Sequence, residues 1–206
     1  MASDPSTQLA RSCTAFVHTR RLMSGALIDV ALAIKDALAG DPDLPVLTFD
    51  DATGAVIDLD LRGTTAEIVA RLAAPPAKVA AAPHRAGPAQ GRGRPKLGVV
   101  AREVTLLPRH WEWLATQPGG ASQALRRLVD EARRADGGRT KLRLALEAAY
   151  RFTAAMAGDR PGFEEASRAL FANDRARFAG QAASWPADVR EHAIRLAWGE
   201  TTPERR

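Results

Sequence analysis

Residues 75–91, Pro75-Pro-Ala-Lys-Val-Ala-Ala-Ala-Pro-His-Arg-Ala-Gly-Pro-Ala-Gln-Gly91, do most to limit the folds open to this chain. Proline removes amide donors, and no apolar side chain here recurs at the helical or the strand period. Such a stretch joins units rather than filling a core, so the 206-residue chain divides around it. Charge divides there too. Residues 1–77 hold 6 Lys/Arg against 10 Asp/Glu, residues 78–143 hold 14 against 5, and residues 144–206 hold 9 against 9. A positive excess confined to the middle points to a polyanionic partner, with a merely solvated basic surface as the alternative.

Ahead of the linker, the pattern predicts two short strands, Ser12–Val17 and Leu22–Ser24, then a helix from Gly25 to about Leu38. That helix is apolar at Leu27, Val30, Ala31, Ile34 and Leu38, which is helical spacing. After the breaker Gly40–Pro45, strands Val46–Phe49 and Ala55–Leu61 flank the turn Asp50-Asp-Ala-Thr-Gly54. Ile57, Leu59 and Leu61 alternate with Asp58 and Asp60, so one face is buried and one wet. Thr64-Thr-Ala-Glu67 reads as a capping box opening a helix to about Ala73. Residues 1–74 are thus expected to be a small ββαββα domain. Beyond Asp136-Gly-Gly138 the chain reads as helices, Arg139–Met156, Gly162–Ala172, Asp174–Ala183 and Pro186–Trp198, a C-terminal region 136–206 that forms its own bundle or packs on the central module. The fold class is α+β.

Gly91-Arg92-Gly93-Arg94-Pro95-Lys96, within the linker 75–98, resembles the core of an AT-hook. That resemblance implies an extended arm lying in an AT-rich minor groove, where narrow width and strong negative potential favour inserted arginine. Next come an extended run Val99–Leu107, a short helix Pro108–Thr116, the turn Gln117-Pro-Gly-Gly120 and a helix Ala121–Arg134. Residues 99–135 are similar to the ribbon-helix-helix fold, with the run Ser122-Gln-Ala-Leu-Arg-Arg-Leu-Val129 like the second helix of metal-responsive repressors of that fold. The resemblance implies an obligate homodimer whose paired strands enter the major groove of double-stranded DNA. Trp111, Trp113, Leu114, Leu125, Leu128 and Val129 would then form the dimer core. Anchoring the comparison on Pro108 turns Arg102, Val104 and Leu106 to the groove, whereas anchoring on Trp113 turns out Glu103 and Thr105. The second is favoured because burying Val104 and Leu106 costs less than burying Glu103. Ala121 and Ser122, at the start of the second helix, would face a backbone phosphate, although Ser122 is also a good N-cap. Arg126, Arg127, Arg133 and Arg134 reach phosphates or form a solvated helix face.

Other chemistry is sparse. Asp50, Asp51, Asp58 and Asp60 suggest a divalent-cation site, but a solvated hairpin face explains them better. His18, His84, His110 and His192 show no metal-ligand spacing, and no phosphate loop or nucleophile elbow is found. Hence no cofactor, metal or catalytic residue is expected. The lone Cys13, the missing signal sequence and the lack of a membrane-spanning run point to a cytoplasmic protein. The stretches Arg94–Leu114 and Met156-Ala-Gly-Asp-Arg-Pro-Gly-Phe-Glu-Glu165 resemble a bacterial family of unknown function, which assigns no residue a role.

The sequence therefore leads to a dimeric DNA-binding protein, a transcriptional regulator or antitoxin-like repressor, with an unassigned ligand or protein partner at its N-terminal domain. The alternative is a protein–protein interaction module that dimerises without reading DNA.

Overall fold

Four consecutive residues of strand β1 (Ser12–Val17), Cys13 to Phe16, are buried. Successive side chains of a strand point to opposite faces, so β1 must be covered on both. It lies inside an antiparallel sheet of order β2-β1-β3-β4, with β2 (Arg20–Ala26), β3 (Val46–Asp50) and the short β4 (Val56–Ile57). The computed structural model describes residues 5–74 and 102–199.

One face of the sheet packs Cys13 and Ala15 against Leu27, Val30 and Ile34 of helix α2 (Leu27–Gly40). A one-turn helix α1 (Pro5–Leu9) precedes the sheet, and α3 (Thr65–Ala73) follows it, started by the expected Thr64/Glu67 capping box. The fourth strand is shorter than its pattern suggests. Leu59 and Leu61 still pack inward past Ile57, while Asp58 and Asp60 face solvent, so the alternation outlasts the ladder.

Helices α4 (Pro108–Ala115) and α5 (Gly120–Ala135) lie in the central segment, which is described from residue 102. Four more follow: α6 (Arg139–Ala157), α7 (Phe163–Phe171), α8 (Arg175–Gln181) and α9 (Ala187–Trp198). The other face of the sheet belongs to them. Phe16 and Phe49 meet Phe152 of α6 at ring-centroid distances of 5.3 and 4.8 Å. From there the core runs through Ala166, Leu170, Phe178, Trp185 and Val189. The sequence reading separates 1–74 from 136–206. By their contacts, the described residues of 1–76 and 138–206 form one compact unit and those of 77–137 a second.

One further difference concerns the central segment. Residues 102–107, the described part of the expected strand Val99–Leu107, form no strand among the described residues. The hook-like Arg92, Gly93, Arg94, Pro95 and Lys96, with the start of the expected strand at Val99, lie outside the described residues.

The β3–β4 turn is pinned to α6. Gly54 is buried at φ +66°, and a Cβ added there would stand 1.8 Å from the Ala148 carbonyl oxygen. Arg151 of α6 also donates to the Thr53 carbonyl at 3.0 Å. Neither backbone has room to yield, and the positive φ adds strain for any L side chain. Gly54→Ala should destabilise the protein by roughly 2–4 kcal/mol, read as a lowered urea midpoint. An unchanged midpoint would mean that the turn does not dock on α6.

Candidate functional site

Each unit carries one group of candidate residues. In the central segment, α5 begins at Gly120 behind Gly119 in the left-handed region, φ +77°. Ser122 is therefore in the first turn of the helix and is not its N-cap. Glycine offers no capping side chain, so the first-turn amides lack a side-chain acceptor. Ala121 is half-buried there, and the Ser122 hydroxyl accepts from Arg126 Nη2 at 3.0 Å. Arg127 turns to the other flank, 3.8 Å from Glu131, and also donates to Gln117 Oε1 at 3.4 Å. Ser122 and Arg126 are thus brought together, and Arg127 is partly neutralised. Arg102, Glu103, Thr105 and Val104 are all exposed, and Leu106 is half-buried. In the single chain neither strand face is selected.

The apolar side of this segment is largely uncovered. Leu114 and Ala124 are buried, but Trp111, Trp113, Leu128 and Val129 are between 38% and 56% exposed.

The second group sits where the sheet meets α9, and the sequence reading missed it. Thr14 of β1 and Ser24 of β2 are cross-strand neighbours, their hydroxyl oxygens 3.0 Å apart. Asp51, just after β3, accepts from Thr14 Oγ1 at 2.9 Å and from Ser12 Oγ at 2.7 Å. Asp50, expected on a wet hairpin face, is instead buried: its Oδ1 accepts from the Ala52 and Thr53 amides, and Oδ2 pairs with Arg11. Among the described residues, no three His, Cys, Asp or Glu side chains gather to hold a metal ion.

Helix α9 lowers His192 and Arg195 onto this polar layer. The two stand three residues apart and so share a face. Asp188, in its first turn, accepts from the Arg21 amide at 2.8 Å and ties α9 to β2. Arg195 Nη2 lies 3.2 Å from Ser24 Oγ, 3.4 Å from Thr14 Oγ1 and 2.6 Å from His192 Nδ1. A guanidinium only donates, so Nδ1 accepts and the imidazole proton resides on Nε2. That Nε2 is buried without a hydrogen-bond partner, 3.6 Å from Asp51 Oδ1. The ring is also edge-on to Phe152 and Phe16, at 4.5 and 5.4 Å. The signal in the sequence was a histidine and an arginine at i, i+3 on an amphipathic helix. Their partners, at residues 14, 24 and 51, carried no mark linking them to it.

Burial, and then the Arg195 and Arg21 guanidiniums, push His192 down to about 3. Cys13, on the opposite face of the sheet, is pushed up to about 11 by burial, so its thiol stays protonated and unreactive. Because the folded-state value of His192 is depressed, its contribution is fully present above its unfolded value of about 6.5 and is lost as pH falls toward 3. At pH 5 the linkage costs about 2 kcal/mol. His192→Gln should flatten the dependence of unfolding free energy on pH between about 6.5 and 4. Parallel curves for the two proteins over that range would show that His192 is not held neutral.

Comparison with known proteins identifies one family. No curated protein and no solved structure matches the chain. The family model described as "Uncharacterized protein conserved in bacteria (DUF2239)" matches residues 12–197, which takes in the sheet, both central helices and α9 almost to its end. The chain belongs to this bacterial family, whose description assigns it no activity, ligand or partner.

Proposed function

We propose that the protein binds double-stranded DNA as a homodimer through its central segment, as a transcriptional regulator or antitoxin-like repressor. The observation that carries this reading is the uncovered apolar stripe of α4 and α5. Among the described residues, a helix pair that buries Leu114 and Ala124 while leaving two tryptophans, Leu128 and Val129 open has little core of its own. A second copy would cover that stripe, and pairing of residues 99–107 across the two-fold axis would supply the missing strand partners.

The charge of the same segment selects the ligand. With 14 Lys/Arg against 5 Asp/Glu in residues 78–143, a polyanion is favoured. Ala121, Ser122 and Arg126 fit a backbone phosphate at the uncapped start of α5. Arg92, Gly93, Arg94, Pro95 and Lys96 fit an AT-rich minor groove. The strand register decides what the ribbon reads. With Val104 and Leu106 inward, Thr105 and Glu103 face the major groove, where glutamate accepts only from cytosine N4 and is repelled by phosphates. The other register offers Arg102. Glu103 and the Arg127–Glu131 pair favour a second reading, in which the module dimerises and binds protein without reading DNA.

Duplex binding should weaken steeply with salt, each neutralised phosphate contributing about −0.9 to the slope of log K against log salt. Val129→Glu should give a monomer by light scattering at micromolar concentration and lose duplex binding with it. A dimeric wild type that ignores duplex even at low salt would leave only the protein-binding reading, and a monomeric wild type would remove both.

The register has its own test. Glu103→Gln should tighten binding, most at low salt, with little change in melting temperature. Unchanged affinity with a lowered melting temperature would instead turn Arg102 to the groove.

A further inference from the structure

The polar layer under α9 opens to solvent as a cleft lined by Ser12, Ser24, Gly25, Asp51, Arg195 and Leu196. Two opposite charges face it from different parts of the fold, and neither is used up. Arg195 makes its contacts to Thr14, Ser24 and His192 through Nη2 alone. Among the described residues it has no carboxylate partner and its Nε and Nη1 make no hydrogen bond, which leaves those donors to serve a ligand. Asp51 receives one hydroxyl proton on each oxygen, from Ser12 and Thr14, and each oxygen has a second lone pair.

The guanidinium is also held still. Its Nη2 stands 2.6 Å from the imidazole of His192, whose ring packs edge-on against Phe152 and Phe16. His192 Nε2 stops 3.6 Å short of Asp51 and completes no bond to it. Asp51 is therefore positioned by the two hydroxyls on the strand side and remains available on the cleft side. A rigid donor fork and a rigid acceptor, with ordering costs already met by the fold, are what a small polar site requires.

The charge pattern then decides the ligand class. A simple anion at Arg195 would meet Asp51, and a simple cation at Asp51 would meet Arg195. A molecule with a carboxylate beside an ammonium satisfies both groups at once, each through charge-assisted hydrogen bonds. Leu196 supplies an apolar wall. We propose that this cleft binds a free α-amino acid, its carboxylate on Arg195 and the serine hydroxyl of Ser24, its ammonium on Asp51. The assignment does not depend on the DNA reading, which rests on the other unit.

The full chain is screened by thermal shift at pH 7 against the common L-amino acids. The best of them is then titrated by calorimetry beside its des-amino acid and its des-carboxy amine. The zwitterion should bind at least tenfold more tightly than either analogue, and Arg195→Gln and Asp51→Asn should each weaken it by tenfold or more. Arg195 also ties α9 to the sheet, so that variant risks misfolding. The arginine Nε signals of the wild-type protein give an independent reading, and that of Arg195 should move on titration. No binding from any amino acid, equal binding of the des-amino acid, or binding that leaves the Arg195 signal in place would overturn the proposal.

Discussion

Three phenylalanine rings from distant parts of the chain hold the larger unit together. Phe16 and Phe49, on neighbouring strands, both close on Phe152, with Phe49 and Phe152 nearly perpendicular at 4.8 Å. All three are fully buried. Edge-to-face contacts of this kind add to an area burial that is already large for each ring. Removing any one would leave a void beside the other two. The arrangement makes β1 a strand with helices on both faces, although the two layers of helix are separated in sequence by the whole central segment.

A polar layer borders that aromatic core, and its cost is visible in His192. The imidazole is dry, sits between two aromatic rings, and is kept neutral by burial and two guanidiniums. An unsatisfied buried N–H costs on the order of 1–3 kcal/mol. A core built for stability alone would place an apolar side chain there. The groups around His192 form a connected set: Arg195 rests on it, Thr14 and Ser24 rest on Arg195, and Asp51 rests on Thr14. Such a set fixes one orientation of α9 against β2, helped by the Asp188 bond to the Arg21 amide.

The central segment obeys different physics. Among the described residues, its two helices leave much of their apolar stripe open to water. Helices of 8 and 16 residues gain their stability from a packed face more than from propensity. Here much of that face is open. The dimer proposal follows from this deficit, and the basic excess around it suggests what the dimer holds.

Local order was legible in the residues themselves. The apolar spacing of Leu27, Val30 and Ile34, the Thr64/Glu67 box and the Gly and Pro breakers placed most elements, because each depends on neighbours within a few residues. So did the alternation of Ile57 to Leu61, which survives even where the strand stops. Family membership was legible in the same way, through runs of residues. The partners of those elements were not. Nothing near Asp50 indicates that Arg11 will cover it, and nothing near His192 indicates that Phe16, Asp51 and a guanidinium will surround it. Periodicity records which face of an element is buried but not against what, since that is settled by chain reversals summed over the fold. The sequence by itself determined most of the elements and the charge map; only the tertiary structure decided that Ser12, Ser24, Asp51 and Arg195 share one polar cleft.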